Sequence, residues 1–487
     1  MTADTAPGRP GTLTPEQEEK LRRLWQLIFQ VCAVGQEQDG AVADSSSAAE
    51  KAQDEEAKKS KKSRMSFFSR KGKKDEGESS SAAPPNASVV LNLKDGEADK
   101  YGQTKHFYET LASQSPESIR DTIWSMVKHD HPDALVLRFL RARKWDAERA
   151  LIMLVSTMNW RAQEMKVDED IMRNGEAAAL AAEKSSDPAA KRLAHDFMTQ
   201  IRKGISYVHG HDKQGRPLCF VNVRLHKQGE QAEEALERYT VYLIETCRMV
   251  LQPPVDTATI VFDMTNFSMA NMDYTPVKFM IKCFEANYPE CLGTVLVHKA
   301  PWIFQGIWKV IRGWLDPVVA NKVHFTNNAK EMEEFIPIKH IPKDLEGEED
   351  WTYQYVEPVE GENARLSDTE TRDRLLAARE GLYKEYEKAT LEWIQHGGEA
   401  DKAAEIKERR NAIAARLRED YWNVDPYLRA RSYYDRIGVL LPGGKLDWYP
   451  EAKPEVANGT AAAAAAAPAA APPALAPVAE TSADDVD

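Results

Sequence analysis

Apolar positions divide this chain by their period. Leu21, Leu24, Trp25, Ile28, Val31 and Cys32 recur at the interval of one helical face, behind a capping box, Thr14-Pro15-Glu16-Gln17, with proline at the first helical position. An isolated amphipathic helix is predicted over 12–32. The same interval returns after residue 106. Asp133 is placed to cap a helix carrying Leu135, Phe139 and Leu140, and Asp146 one carrying Ala150, Leu151, Leu154, Val155 and Met158. Residues 186–203 continue in that style. The period then shortens. Ile205–His209 and Leu218–Val223 are strand-like, and HGHDKQGRP between them supplies the turn of a hairpin. Strand-like Ala258–Met264, Gly293–His298 and Lys322–Thr326 alternate with helical stretches near 230–251, 276–288 and 302–315. Strands separated by helices of this length pair in parallel through crossovers. The prediction is an α/β fold: a helical N-terminal subdomain, then a small mixed, mostly parallel sheet with helices. Farther on, Leu375, Leu382, Tyr386 and Trp393, then Ile406, Ile413, Leu417 and Tyr421, make two stripes. With a capping box at Ser367–Glu370 and Gly397-Gly398 in the turn, they predict a helical hairpin over 364–422.

Outside these stretches the pattern fails. Residues 33–105 are dominated by Ala, Ser, Gly, Lys and Glu, a composition that cannot bury enough apolar surface to order itself. Within them, Lys58–Lys74 holds nine basic residues and no acidic one around Met65, Phe67 and Phe68. It suits an anionic membrane surface, a nuclear import signal or a solvated linker, and Ser60, Ser63, Ser66 and Ser69 could carry phosphate that cancels the attraction. Residues 451–487 are an Ala/Pro tail. The predicted organisation is therefore a helix at 12–32, a disordered linker at 33–105, a helical subdomain at 106–203, a sheet domain at 204–350, a helical extension at 351–450 and a disordered tail.

Charge and cysteines narrow the class. The 487 residues carry 64 basic and 77 acidic side chains, a net charge of −13, which argues against a nucleic-acid partner. Five scattered cysteines form no CxxC pair, so neither a disulfide framework nor a zinc ribbon is indicated, and a reducing compartment fits. No signal-like h-region opens the chain and no run of 18 apolar residues occurs, so a soluble intracellular protein is expected.

Catalytic signatures are missing. Gly210-His-Asp-Lys-Gln-Gly215 imitates the spacing of a phosphate loop, but Arg216-Pro217 and a strand follow where Lys-Ser and a helix are required. GxSxG, HExxH and GxGxxG do not occur, no cofactor is indicated, and an enzyme is not expected. His209 and His211 read as solvated turn histidines. Two features remain. Pro301–Leu315 places Trp302, Ile303, Phe304, Ile307, Trp308, Val310, Ile311, Trp314 and Leu315 around most of a helix, leaving Gln305, Lys309 and Arg312 as one polar stripe. Such a helix is a plain core helix or a wall beside an apolar ligand and a membrane. Arg138, Arg141, Arg143 and Lys144 gather at a helix end, where they terminate the helix or form a phosphate-binding edge.

At ALVLRFLRARKWDAERALIMLVSTMNWR (134–161) the chain resembles the N-terminal helical part of CRAL-TRIO proteins. The likeness continues through HGHDKQGRPLCF (209–220), NYPECLGTVLVHKAPWIF (287–304) and WLDPVVANKVHF (314–325), in the order seen in fungal phosphatidylinositol transfer proteins. It covers about 106–350. The N-terminal capped helix and the C-terminal helices resemble one subgroup of these proteins.

The resemblance implies a lipid-binding fold whose apolar cavity holds one phospholipid as ligand and is closed by a gate helix, here Trp302, Ile303, Phe304, Ile307, Trp308, Ile311 and Trp314. It implies an inositol-phosphate headgroup site at Arg143, Lys144, Glu290 and Lys322, with Val319 and Cys291 standing where the family often has Thr and Arg. Its phosphatidylcholine site is thinned: the family's tyrosines align with Val208 and Cys219, and Ser268 is kept while Ala270 replaces a hydroxyl. A second-ligand site at Val208, Cys219 and Ser268 would then suit a sterol-like or isoprenoid molecule better than a choline. The implied function is phosphatidylinositol transfer between membranes, in the cytoplasm with transient association with internal membranes. The alternative is a lipid-responsive adaptor that holds a protein partner through its N- and C-terminal helices.

Overall fold

The computed structural model describes residues 5–35, 91 and 99–450; the basic stretch Lys58–Lys74 and the Ala/Pro tail lie outside the described residues. One unit runs from Met1 to Trp448 and a second from Tyr449 to Asp487. In chain order the first contains helices α1 (Pro15–Val31), α2 (Gln103–Ser113), α3 (Pro116–Val127), α4 (Pro132–Ala142), α5 (Ala147–Asn159), α6 (Arg173–Ala182) and α7 (Pro188–Arg202). Then come β1 (Ser206–His211), β2 (Pro217–Asn222), α8 (Glu233–Met249), β3 (Ala258–Asp263), α9 (Tyr274–Lys282), β4 (Leu292–His298), α10 (Phe304–Arg312), α11 (Pro317–Ala320), β5 (Val323–Thr326) and α12 (Ala329–Met332). The extension supplies α13 (Thr369–Gln395), α14 (Ala400–Leu428), α15 (Tyr433–Arg436), β6 (Leu440–Leu441) and β7 (Lys445–Leu446).

The capping box of α1 forms: the Thr14 hydroxyl accepts from the Gln17 amide and the Gln17 side chain accepts from the Thr14 amide. The helix is not isolated. Leu21, Leu24, Trp25 and Ile28 enter one core with Leu137, Leu140, Leu151 and Met158 of α4 and α5, Tyr386 and Trp393 of α13, and Leu417 of α14. An amphipathic helix buries its apolar stripe against whatever apolar surface is nearest, and here the two ends of the chain cover one another. Asp133 is not the cap expected of it. His131 caps α4, with Pro132 at the first position, and the freed carboxylate is buried, accepting from Trp25 Nε1 at 2.7 Å and from Arg410 of α14 at 2.6 Å. Asp146 does cap α5.

The strands form one five-stranded sheet in the order β1-β2-β3-β4-β5. β1 and β2 are antiparallel and the other pairs parallel, as expected of a hairpin followed by crossovers. The false phosphate loop is a turn. Asp212 accepts from the amides of Gln214 and Arg216 and from the Thr259 hydroxyl, and Gly215 supplies the left-handed φ of +76°. His209 is not solvated: it is buried in β1, its ring 3.7 Å from that of Trp351 and nearly parallel to it, with Nε2 3.2 Å from Glu349. Leu218, Phe220, Val261 and Leu296 pack one face of the sheet against Met332, Ile336, Ile341 and Leu345. The opposite face carries Val208, Cys219, Ile260, Val295 and Val297, and it bears the site.

Candidate ligand cavity

Between that second face and helices α8, α9 and α10 lies a cavity of about 230 Å³. Its floor is Val221, Ile260, Phe262, Val295 and Val297; its walls include Leu236 and Tyr239 of α8, Val277, Met280 and Ile281 of α9, and Phe304, Trp308 and Ile311 of α10. A smaller hollow of about 80 Å³ shares Val221, Tyr239, Ile260 and Leu292 with it and reaches Cys219, Cys247, Arg248 and Cys291. Walls of this kind shelter hydrocarbon, at about 25 cal/mol per Å² of apolar surface removed from water. Its polar lining residues include Gln200, Ser206 and Thr240, and His226, whose Nε2 lies 3.3 Å from the Asp273 carboxylate beside Asn271. Burial pushes the Cys291 thiol up, and a hydrogen bond with Cys219, then burial, pushes the Cys247 thiol up, which disfavours the thiolate at both.

α10 is shorter than the 302–315 its pattern predicts. Ile303 is its N-cap and Gly313 ends it, so Trp302 and Trp314 lie in the flanking turns. Phe304, Ile307 and Ile311 are buried, whereas Trp302 is 86% exposed, with Ile303 and Val310 also outside. The helix therefore turns Phe304, Ile307 and Ile311 inward and Gln305, Lys309, Val310 and Arg312 outward, with Trp302 exposed in the turn before it. Trp308 meets Phe325 at 5.5 Å, Phe304 meets Phe267 at 5.9 Å, and Trp314 packs on Tyr274 with the Lys278 ammonium over its ring.

Two of the four headgroup candidates, Glu290 and Lys322, lie at the N-terminal end of β4. Lys322 Nζ donates to the carbonyl of Leu292 at 2.7 Å, and Leu292 lines both hollows. Glu290, two residues earlier, has its carboxylate 4.0 Å from Arg141 and its carbonyl bonded by Arg138, which also reaches Cys291 Sγ at 3.3 Å. Arg143 donates to Gln103 at 2.6 Å, and Gln103 in turn donates to the Ala286 carbonyl. Lys144 is exposed at the end of α4. Lys322 thus bonds the backbone two residues beyond Glu290, and Arg143 is tied through Gln103 to Ala286, four residues before Glu290. Lys144 (φ +51°), Trp145 (φ +67°) and Glu290 (φ +56°) hold left-handed backbone, a cost of about 1–2 kcal/mol each that tends to be kept where a site needs it.

Asp256 lies under this cluster, taking both Arg9 and Arg141. Burial would raise its carboxyl; the charges of Arg138, Arg9 and Arg141 hold it below the usual range. Burial and then the neighbouring Arg9 push Arg141 down to about 10. Gln103, Asp256 and Arg9 escaped the sequence reading, because none belongs to a periodic stretch and each acts through a partner far away in the chain.

The second-ligand positions do not converge. Val208 and Cys219 are register partners on β1 and β2. Cys219 lines the smaller hollow, but Val208 lines neither. The Ser268 hydroxyl is engaged by Asn271 at 2.8 Å. Among the described residues no helix is long and apolar enough to cross a membrane.

Comparison with known proteins follows the same boundaries. Residues 201–347, which hold the sheet and the cavity, match the CRAL/TRIO domain, and residues 103–156 match the CRAL/TRIO N-terminal domain. A CRAL-TRIO domain-containing protein of Schizosaccharomyces pombe is 47% identical over 335 residues, 69% of this chain and 72% of its own length. The phosphatidylinositol transfer protein CSR1 of Eremothecium gossypii is 38% identical over 448 residues, 90% of this chain and 100% of its own. That alignment also takes in segments on both sides of the two matched domains. With its sheet, its cavity and a relative aligned end to end, this chain belongs to the CRAL/TRIO family.

Proposed function

We propose that the chain is a phosphatidylinositol transfer protein that carries one phospholipid in the apolar cavity and exchanges it at membranes by displacement of α10. The observation that carries this reading is an apolar cavity walled by Phe304, Trp308 and Ile311 of that helix, with Trp302 and Ile303 exposed just before it. Two acyl chains sheltered at about 0.8 kcal/mol per CH₂ are worth roughly 20 kcal/mol or more, so release into water is negligible and exchange takes place against lipid. A helix whose inner face is aromatic and aliphatic and whose first turn is preceded by an exposed tryptophan trades cavity contacts for interfacial ones at little net cost. Arg143, Lys144 and Lys322 suit a phosphate, and the Glu290 carboxylate suits inositol hydroxyls. The printed name of the aligned relative, a phosphatidylinositol transfer protein, agrees with this reading. On this reading the chain works in the cytoplasm, touches internal membranes transiently, makes no bonds, and holds its lipid as cargo rather than as a cofactor.

Vesicle-to-vesicle transfer of labelled phosphatidylinositol tests it. Lys322→Ala and Glu290→Ala are expected to abolish transfer while the thermal transition stays cooperative. Unchanged transfer in both variants would refute the headgroup assignment.

An apolar cargo without a phosphate, such as a sterol-like or isoprenoid molecule, is the second reading, and the thiol-lined hollow at Cys219 and Cys247 favours it. The adaptor reading fares worse, because the apolar stripe of α1 is already buried within the chain.

A further inference from the structure

A cleft of about 270 Å³ opens where the C-terminal extension meets both matched domains, and it shares no lining residue with the main cavity. α14 supplies one side. Arg418 and Trp422 stand one helical turn apart and half-buried; Glu419 and Asn423, also one turn apart, are exposed at the rim. The other side is His129, between α3 and α4, with Leu251 and Gln252 just past the end of α8. Backbone contacts fix the shape. Arg418 Nε donates to the His129 carbonyl at 3.1 Å, His129 Nε2 lies 3.0 Å from the Arg248 carbonyl, and Gln252 Nε2 donates to the Gly444 carbonyl at 2.8 Å. The Trp422 ring seats against bare backbone: a Cβ on Gly444 would lie 2.1 Å from it.

One charge in the cleft is left over. Of the arginines on α14, Arg409, Arg410 and Arg416 pair with Glu392, Asp133 and Glu385. Among the described residues Arg418 has no such partner; only its Nε is bonded, and to a carbonyl. Burial lowers its pKa, and the charge of Asp130, itself bonded to Arg248, offsets that only in part. A half-buried guanidinium with an open fork and no counterion is a destabilising arrangement that a bound oxyanion relieves.

We propose that this cleft binds a small water-soluble oxyanion, a phosphate or carboxylate carried on a hydroxylated skeleton, with Arg418 taking the anionic group. The two Nη groups fit a pair of oxygens on either anion. Glu419 and Asn423 offer an acceptor and an amide to neighbouring hydroxyls, and the Glu419 charge works against a polyanion. Leu251 and Trp422 give the carbon skeleton an apolar surface, and a junction between domains is a common place for such a site. The site goes beyond the transfer reading and stands apart from it, since its lining residues are neither the headgroup positions nor α10.

The test follows the thermal transition of the full chain with glucose 6-phosphate, gluconate, glucose or inorganic phosphate, at matched ionic strength. A ligand held only by the folded chain raises the midpoint as its concentration rises. Glucose 6-phosphate or gluconate is expected to raise it, and the one that does identifies the anion; glucose should have no effect and inorganic phosphate a smaller one. Calorimetric titration of the effective probe should show one site per chain. Arg418→Gln should weaken that site about tenfold or more. Glu419→Gln, at an exposed position, should tighten it roughly two- to fivefold. No shift with either anion overturns the proposal, and so does binding that R418Q retains, which would place the anion elsewhere. An equal response to glucose overturns the oxyanion, and an equal response to inorganic phosphate overturns the skeleton. Should R418Q not fold, E419Q decides: an affinity equal to wild type overturns the site.

Discussion

Asp133 shows what a single residue can conceal. Its place before an apolar run reads as a helix cap, yet its carboxylate is buried between Trp25 and Arg410, whose guanidinium lies 4.3 Å from the centre of the Trp393 ring. Burial would raise its pKa; the charges of Arg410 and His131 hold it below the ordinary carboxylate range. A depressed folded value means that the pair stabilises fully above the unfolded pKa near 4 and fades as pH falls through the folded value. Arg410→Leu removes the cation that pairs with this buried carboxylate and leaves it the Trp25 hydrogen bond, and is expected to cost about 3–5 kcal/mol at neutral pH. In the variant, burial is opposed less and the carboxyl protonates more readily, so the gap to wild type should narrow below about pH 4. Urea denaturation at neutral and acid pH checks both statements; an equal gap at both would assign the loss to packing alone.

At the scale of elements, period made the structure legible and distance hid its partners. The interval of Leu21, Leu24, Trp25 and Ile28 predicts α1, and the shortened runs predict the strands of the sheet, because both depend on neighbours a few residues away. What covers α1 does not follow from its own residues, since α13 and α14 lie at the other end of the chain. Trp25→Ala is therefore expected to destabilise the whole unit by about 3–5 kcal/mol. A denaturant midpoint equal to wild type, with only some helix signal lost, would mean that α1 is an accessory arm. For α10 the pattern marked an apolar helix and left open whether it was core or wall; Phe304, Trp308 and Ile311 line the cavity, and Trp302 stands exposed before the helix. Trp302→Ala should leave stability within about 0.5 kcal/mol and slow both vesicle binding and transfer several-fold. Unchanged kinetics would separate the exposed tryptophan from exchange.

For the molecule as a whole, the candidate site was half legible. The resemblance points to Glu290 and Lys322, and Lys322 bonds the carbonyl of Leu292, a cavity-wall residue. It did not carry Gln103 or Asp256, whose contacts with Arg143 and Arg141 run across the fold. Long-range partners of this kind are fixed by packing in three dimensions, and no periodicity or local motif records them. The account joins these parts in one claim: an apolar cavity and the cationic and carboxylate groups beside it select a single phosphatidylinositol. The most direct test is native mass spectrometry of the full chain purified from a eukaryotic host, followed by lipid extraction. The account predicts close to one phosphatidylinositol per chain with phosphatidylcholine minor; an apolar molecule with no phospholipid, or a chain that binds no lipid, would contradict it.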